Sequence, residues 1–231
     1  TPERRAALAE ARRRHDGRQV RTPLRPSPAL ARRLDRPVWL KLENEQHTGS
    51  FKARPALASV LALDPEVRAR GIVTSSSGNF ASGAAWAAAQ EGIDCTVVVM
   101  PSAKPFKVEK ARGYGARIVT CEDDYADRQR RVDALVAETG AAEIHPHSSE
   151  PTLAGDATVG YEIIEDLPDC GAILVPVSGG GLFGGVMESL EDLGHEALVY
   201  GAQPEGNRIF ADSFRARERR QGPPARTLAD G

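Results

Sequence analysis

The chain is short of cysteine, short of net charge and without any long apolar run, and each shortage closes off a class of function. Three cysteines, Cys95, Cys121 and Cys170, are scattered through 231 residues without metal-type spacing. An odd count suits a reducing compartment. Cys95 and Cys121 lie within or beside apolar runs and read as core thiols. The 30 basic and 32 acidic residues leave a formal net charge of -2, which gives no electrostatic case for nucleic acid or a membrane surface. No stretch approaches the roughly 20 apolar residues of a membrane span, and the first residues lack the apolar segment of a signal peptide. A cytoplasmic protein is expected. No internal repeat or low-complexity segment occurs.

What is present is alternation. The pattern predicts a helix over 2–16 and a strand over 38–42, then a helix over 51–63. Strands at 71–75, 95–100, 116–121 and 143–145 follow, interleaved with helices at 81–90, 105–114 and 124–138. A helix over 153–167, a strand over 172–177, a helix over 182–190, a strand over 197–202 and a helix over 207–217 complete the series. Such alternation implies an α/β fold with a mainly parallel sheet, and 41% hydrophobic content is enough to bury a large core. Arg4, Arg5, Arg12, Arg13 and Arg14 on the first helix read as a solvated face.

Three loops fall at the C-terminal ends of strands, where such folds place their ligands. The first is Thr48-Gly49-Ser50-Phe51-Lys52-Ala53-Arg54. A lysine can hold an aldehyde only if its amine can lose its proton, which requires a shielded pocket, and Phe51 supplies apolar cover. The second is Ser178-Gly179-Gly180-Gly181-Leu182, where a strand turns through glycine into a helix. Free backbone N–H groups and the positive end of the helix dipole suit a phosphate, and the backbone at Gly180 is expected to approach it closely. No Gly-Lys-Ser/Thr ending follows, and the next strand ends at Gln203, so a phosphate-bearing cofactor outranks a nucleotide. The third is Thr74-Ser75-Ser76-Ser77-Gly78-Asn79-Phe80, whose hydroxyls, amide and helix start suit a carboxylate. Taken singly these are a surface lysine, a tight turn and a helix cap. Together they match the needs of pyridoxal phosphate.

The motifs run in a familiar order: Lys41-Leu42-Glu43-Asn44 with Gln46 to Lys52, Ser76-Ser77-Gly78-Asn79, Tyr114-Gly115-Ala116, His145-Pro146, Ala154-Gly155 with Thr158, Val175 to Gly181, and Ala229-Asp230-Gly231. In this the chain resembles the threonine dehydratase and serine racemase family of fold-type II, tryptophan-synthase beta-like pyridoxal phosphate enzymes. The resemblance implies two open, mainly parallel α/β domains with the cofactor in the cleft between them. The large domain would comprise 1–70 and 149–231, and the small domain 71–148. It also implies that Lys52 holds pyridoxal 5'-phosphate as a Schiff base and then transfers the substrate's α proton. Phe51 would pack near the pyridine ring, Asn79 would bond its phenolic oxygen, and Ser178, Gly179, Gly180, Gly181 and Leu182 would hold the phosphate. Ser76, Ser77, Gly78 and Asn79 would clamp the substrate carboxylate. Ser77 matches the hydroxyl that faces the α carbon opposite the lysine in racemases. The implied reaction is dehydration of serine, threonine or a related 3-hydroxy amino acid to a 2-oxo acid and ammonia, by a homodimer. An amino-acid racemase and a non-catalytic cofactor-binding protein are the alternatives. A β-replacement enzyme fits less well, because those carry Ser-Val-Lys-Asp-Arg around the lysine.

Several positions depart from the family pattern. Phe80 stands where histidine is common, Pro55 where glycine follows the arginine, and Asp156-Ala157 where Gln-Gly is usual. Gln203 and Ile209 occupy positions that are acidic in metal-activated members, so no metal site is expected, with Glu205 and Asp212 as the nearest substitute ligands. Family members continue for roughly another third of a chain and add a group facing the pyridine nitrogen. The expectation is that the sequence is part of a longer protein, since a sheet cut there would leave apolar edges exposed.

Overall fold

The computed structural model describes residues 2–15, 17–122, 124–146, 149–220 and 222. The motif Ala229-Asp230-Gly231, the end of the expected first helix at Asp16 and the end of the expected small domain at 147–148 lie outside the described residues. In chain order the elements are α1 (Pro2–His15), β1 (Leu24–Pro26), α2 (Pro28–Leu34), β2 (Trp39–Lys41), a 3-10 turn (Glu43–Glu45), α3 (Ala53–Leu61), α4 (Pro65–Arg68), β3 (Ile72–Ser75), α5 (Asn79–Glu91), β4 (Cys95–Val99), α6 (Pro105–Gly113), β5 (Arg117–Thr120), α7 (Tyr125–Thr139), β6 (Ala142–Glu143), α8 (Glu150–Asp166), β7 (Ala172–Pro176), α9 (Gly181–Leu193), β8 (Leu198–Ala202) and α10 (Ile209–Ala216).

Strands β3 to β6 form one parallel sheet in the order β5-β4-β3-β6. The run Cys95-Thr96-Val97-Val98-Val99 is buried throughout, as a central parallel strand covered on both faces requires. Its side chains alternate: Cys95, Val97 and Val99 join the core with α3 and α5, while Val98 joins Val132 and Leu135 of α7 on the other face. β3 repeats this, with Ile72 on the first face and Val73 on the second. Cys95 and Cys121 are buried thiols, as expected.

β7 and β8 pair in parallel as a separate ribbon. Ile173 and Val175 face inward onto α8 and α9, whereas Leu174, Leu198 and Tyr200 are more than half exposed. β1 and β2 form the antiparallel exception, with Leu24 opposite Lys41 and Pro26 opposite Trp39. β1 is three residues long and closes on a proline, which removes the strand signal. α2 and α4 were also illegible as hydrophobic periods, although each opens with a proline after Ser27 or Asp64, the usual start of a helix. α8 begins three residues before the expected 153, because Ser149 caps it by accepting a hydrogen bond from Thr152 N and Pro151 falls in its first turn.

The α1 arginines are exposed but are more than a solvated face. α1 packs Leu8 and Ala11 onto Ala154, Ala157 and Tyr161 of α8. This brings Arg4 to Glu188, Arg12 to Glu165, and the Arg12 guanidinium over the Tyr161 ring at 4.3 Å. Among the described residues no helix is long and apolar enough to cross a membrane.

Candidate active site

Lys52 ends the turn before α3, which starts at Ala53 rather than at Phe51. Two neighbouring backbones converge on that turn and the first residues of α3. A Cβ on Gly83 of α5 would lie 2.6 Å from Lys52 O, and one on Gly155 of α8 would lie 2.6 Å from Pro55 Cα and 2.7 Å from Arg54 O. Only glycine permits either approach. The lysine's Nζ donates to Pro146 O at 2.8 Å, with the Phe51 ring 4.9 Å and the Phe80 ring 5.9 Å away. Burial lowers the ammonium's pKa, and the charge of Asp156 partly opposes that. Phe80, a departure in the sequence, thus adds apolar cover to the amine.

The carboxylate-type loop follows β3. Ser76 Oγ accepts a hydrogen bond from Gly78 N at 3.3 Å, while Ser77 Oγ is buried with no hydrogen-bond partner among the described residues. Asn79 is exposed and is already the first residue of α5, two positions before the expected start. Its neighbour Phe80 faces Lys52, and four residues on Gly83 touches the lysine's backbone, so this loop and the lysine turn meet.

At the glycine loop, Ser178 and Gly179 are exposed, Gly180 caps α9 with φ 89°, and α9 begins at Gly181. Phe51 and Leu182 pack onto one apolar cluster with Val177, Phe183 and Phe210, which joins the lysine turn to the glycine turn. Gly180 is constrained by the fold apart from any ligand. A Cβ there would lie 2.6 Å from the Phe210 ring, so the fold itself requires glycine.

Sequence reading did not assign roles to two further sets of groups. Arg54 is fully buried and bidentate on Glu43, at 2.8 Å from Nε and 2.8 Å from Nη2. It also reaches Glu162 at 2.6 and 2.9 Å, Thr158 at 3.1 Å and Thr22 at 3.2 Å. Lys41 adds a 2.5 Å bond to Glu162. Burial disfavours the Arg54 charge, but the hydrogen bonds and charges of Glu162 and Glu43 outweigh it and its pKa is raised. This knot locks the turn that carries Lys52. The other group is Asp156, whose pKa burial pushes up to about 7. Gln203 spends its amide oxygen on Ala211 N at 2.9 Å, capping α10, and Asp212 pairs with Arg208 at 3.1 Å.

The arrangement fits pyridoxal phosphate. It offers an amine disposed to lose its proton, an apolar platform beside it, an unpartnered buried hydroxyl at Ser77, and a glycine turn at the start of a thirteen-residue helix with N–H groups free for a phosphate. Two surface cavities, of about 480 and 700 Å³, lie against α1 and include none of these residues.

Comparison with known proteins bears on the same point. A family described as "Pyridoxal-phosphate dependent enzyme" matches residues 16–231. An L-threonine ammonia-lyase of Thermotoga maritima is 38% identical over 213 residues, covering 91% of this chain and 53% of that protein. A catabolic L-threonine dehydratase of Staphylococcus aureus is 35% identical over 212 residues, covering 91% of this chain and 61% of its own length. The chain therefore spans between half and two thirds of these curated relatives. The structure of maize serine racemase superposes with a TM-score of 0.94 at 34% identity, covering 96% of this chain and 68% of the racemase.

Proposed function

Because the chain belongs to the pyridoxal-phosphate dependent enzyme family, with the α/β fold of its fold-type II members, we propose that it acts as a hydroxy-amino-acid dehydratase, converting serine, threonine or a related 3-hydroxy amino acid to a 2-oxo acid and ammonia. The observation that carries this reading is the setting of Lys52: a shielded amine with a lowered pKa, its backbone against Gly83, just ahead of the α3 residues that Gly155 touches, and tied through Phe51 to the glycine loop. Pyridoxal phosphate, when bound, supplies the electron sink that stabilises negative charge at the substrate's α carbon. The protein's own groups do the rest. Backbone N–H groups of Ser178 to Leu182 hold the phosphate, Phe51 flanks the ring, and Asn79 holds its phenolic oxygen. Ser76, Ser77, Gly78 and Asn79 bind the substrate carboxylate. Lys52 Nζ takes the α proton, a task favoured by the burial that lowers its pKa.

The same reading divides the chain into a large domain of 1–70 with 149–231 and a small domain of 71–148. Its support is that β3 to β6 share one sheet while β7 and β8 form another. It takes the enzyme to be cytoplasmic, in keeping with the three free cysteines, and homodimeric, which sedimentation of the purified protein tests.

A racemase is the second reading, and the buried, unpartnered Ser77 hydroxyl favours it, since a second proton carrier is what racemisation adds. The deciding experiment is an amino-acid screen that follows keto-acid release and chirality together, in wild type and Lys52→Ala. Keto-acid formation lost in the variant supports the dehydratase. Inversion without keto acid points to the racemase, and a borohydride-fixable cofactor in Lys52→Ala overturns the role of Lys52.

A further inference from the structure

Asp156 is a buried acid to which the chemistry above gives no task. It stands on α8 fully shielded from solvent, and neither carboxyl oxygen meets a hydrogen-bond partner among the described residues. The helix is pinned on both sides of it. Gly155 rides on α3, and the α9 backbone at Gly185 rides on Asp156 itself, where an added Cβ would lie 2.7 Å from the aspartate's own Cβ. The backbone and Cβ that carry the carboxyl are thus held against α9. The charges that act on Asp156 are Lys52 before α3, Arg54 within α3, and Glu43 on the 3-10 turn, while α9 meets it through the Gly185 backbone. An ionised carboxylate held this way is costly unless a proton or a cation compensates. Arg54 is already engaged by Glu43 and Glu162. That leaves Lys52 and the proton.

We propose that Asp156 is a positioning residue for Lys52 that sets the pH at which the lysine becomes a free amine. A protonated carboxyl leaves burial to favour the neutral amine, whereas an ionised carboxylate favours the ammonium. Burial drives the two groups toward neutrality together, raising Asp156 to about 7 and lowering Lys52, while each charge pulls the other back. Glutamine, which the family resemblance places here, cannot hold a charge, so this chain carries a titrating neighbour to its lysine that such relatives lack. The inference rests on reading Lys52 as the cofactor-bearing lysine.

The test uses the full chain freed of cofactor, as wild type, Asp156→Asn and Asp156→Gln. Capture of pyridoxal phosphate, which joins Nζ to the aldehyde carbon and releases one water, is timed by absorbance from about pH 5 to about 9. Removing the carboxylate should move the midpoint of the rate profile down by about one unit, making capture about tenfold faster below it. Melting of the cofactor-free proteins gives a second readout. The acid's folded pKa is raised from 3.8 to about 7, so the native state holds a proton the unfolded chain has lost. Wild type should lose stability relative to Asp156→Asn as pH rises through that window, and the difference should be flat above it. His15, lowered to about 4 by burial, changes stability in the opposite sense as pH rises but is common to both proteins.

Identical midpoints, or a melting difference that does not vary with pH, overturn the proposal. If neither variant folds, the infrared carboxyl band of wild type decides: loss of a protonated-acid band near neutral pH supports the proposal, and no such band overturns it. Wild type that captures no pyridoxal phosphate at any pH defeats the reading of Lys52, while the melting and infrared arms still report on Asp156.

Discussion

Glu162 lies 108 positions from Arg54 in sequence, yet its two oxygens take two of the guanidinium's N–H groups. With Glu43 and Lys41 they form a buried charge network in which no member can be removed cheaply, because the partner left behind stays shielded and unpaired. Glu162→Gln should cost about 3–5 kcal/mol in urea unfolding at neutral pH. A loss below about 1 kcal/mol would show that water reaches the site and relieves the unpaired charge. At this scale Lys52 and Ser77 are legible as candidates because each stands in a short contiguous loop whose residue types name a chemistry. The partners of Arg54 and the isolation of Asp156 were not, since tertiary contact alone determines them. Phe80 could be read only as a departure until the structure placed its ring 5.9 Å from the lysine amine.

Among the elements, helix starts matter most. α5 and α9 both follow parallel strands and begin at two of the loops singled out as candidates, which is why alternation of strand and helix points to those loops. Boundaries were less legible: α5 starts two residues early because Gly78 in extended conformation supplies its cap, and α9 starts at Gly181 because Gly180 adopts a left-handed turn. The latter gives a prediction. Gly180→Ala places a β carbon at φ 89° and against Phe210, so folding stability and cofactor retention should fall together, the former by about 1–3 kcal/mol. Adding Phe210→Leu should recover part of the stability. Loss of cofactor retention with unchanged melting would mean that approach to the phosphate alone demands glycine there.

At the scale of the whole molecule, the α/β class followed from composition and alternation, while the division into three separate sheets did not. Strand order depends on which edges pair, and β1 with β2 supplies an antiparallel ribbon that hydrophobic pattern leaves unmarked. The joint of α3, α8 and α9 is where the molecule is most closely knit. Gly160 takes the Ser189 side chain, while Gly155 meets the α3 backbone and Gly185 the α8 backbone at Asp156 and Ala157, main chain against main chain. A crossing of that kind has no rotamer through which one helix can yield to another. Thermal breathing of the surrounding elements therefore carries the lysine and the glycine turn as one body, insulating their separation from fluctuations elsewhere. In amide hydrogen exchange, Leu57, Val159, Val186 and Leu190 should accordingly open last and at a common free energy, while the exposed β7–β8 ribbon exchanges earlier. Independent exchange of α8 and α9 would show that the joint slips.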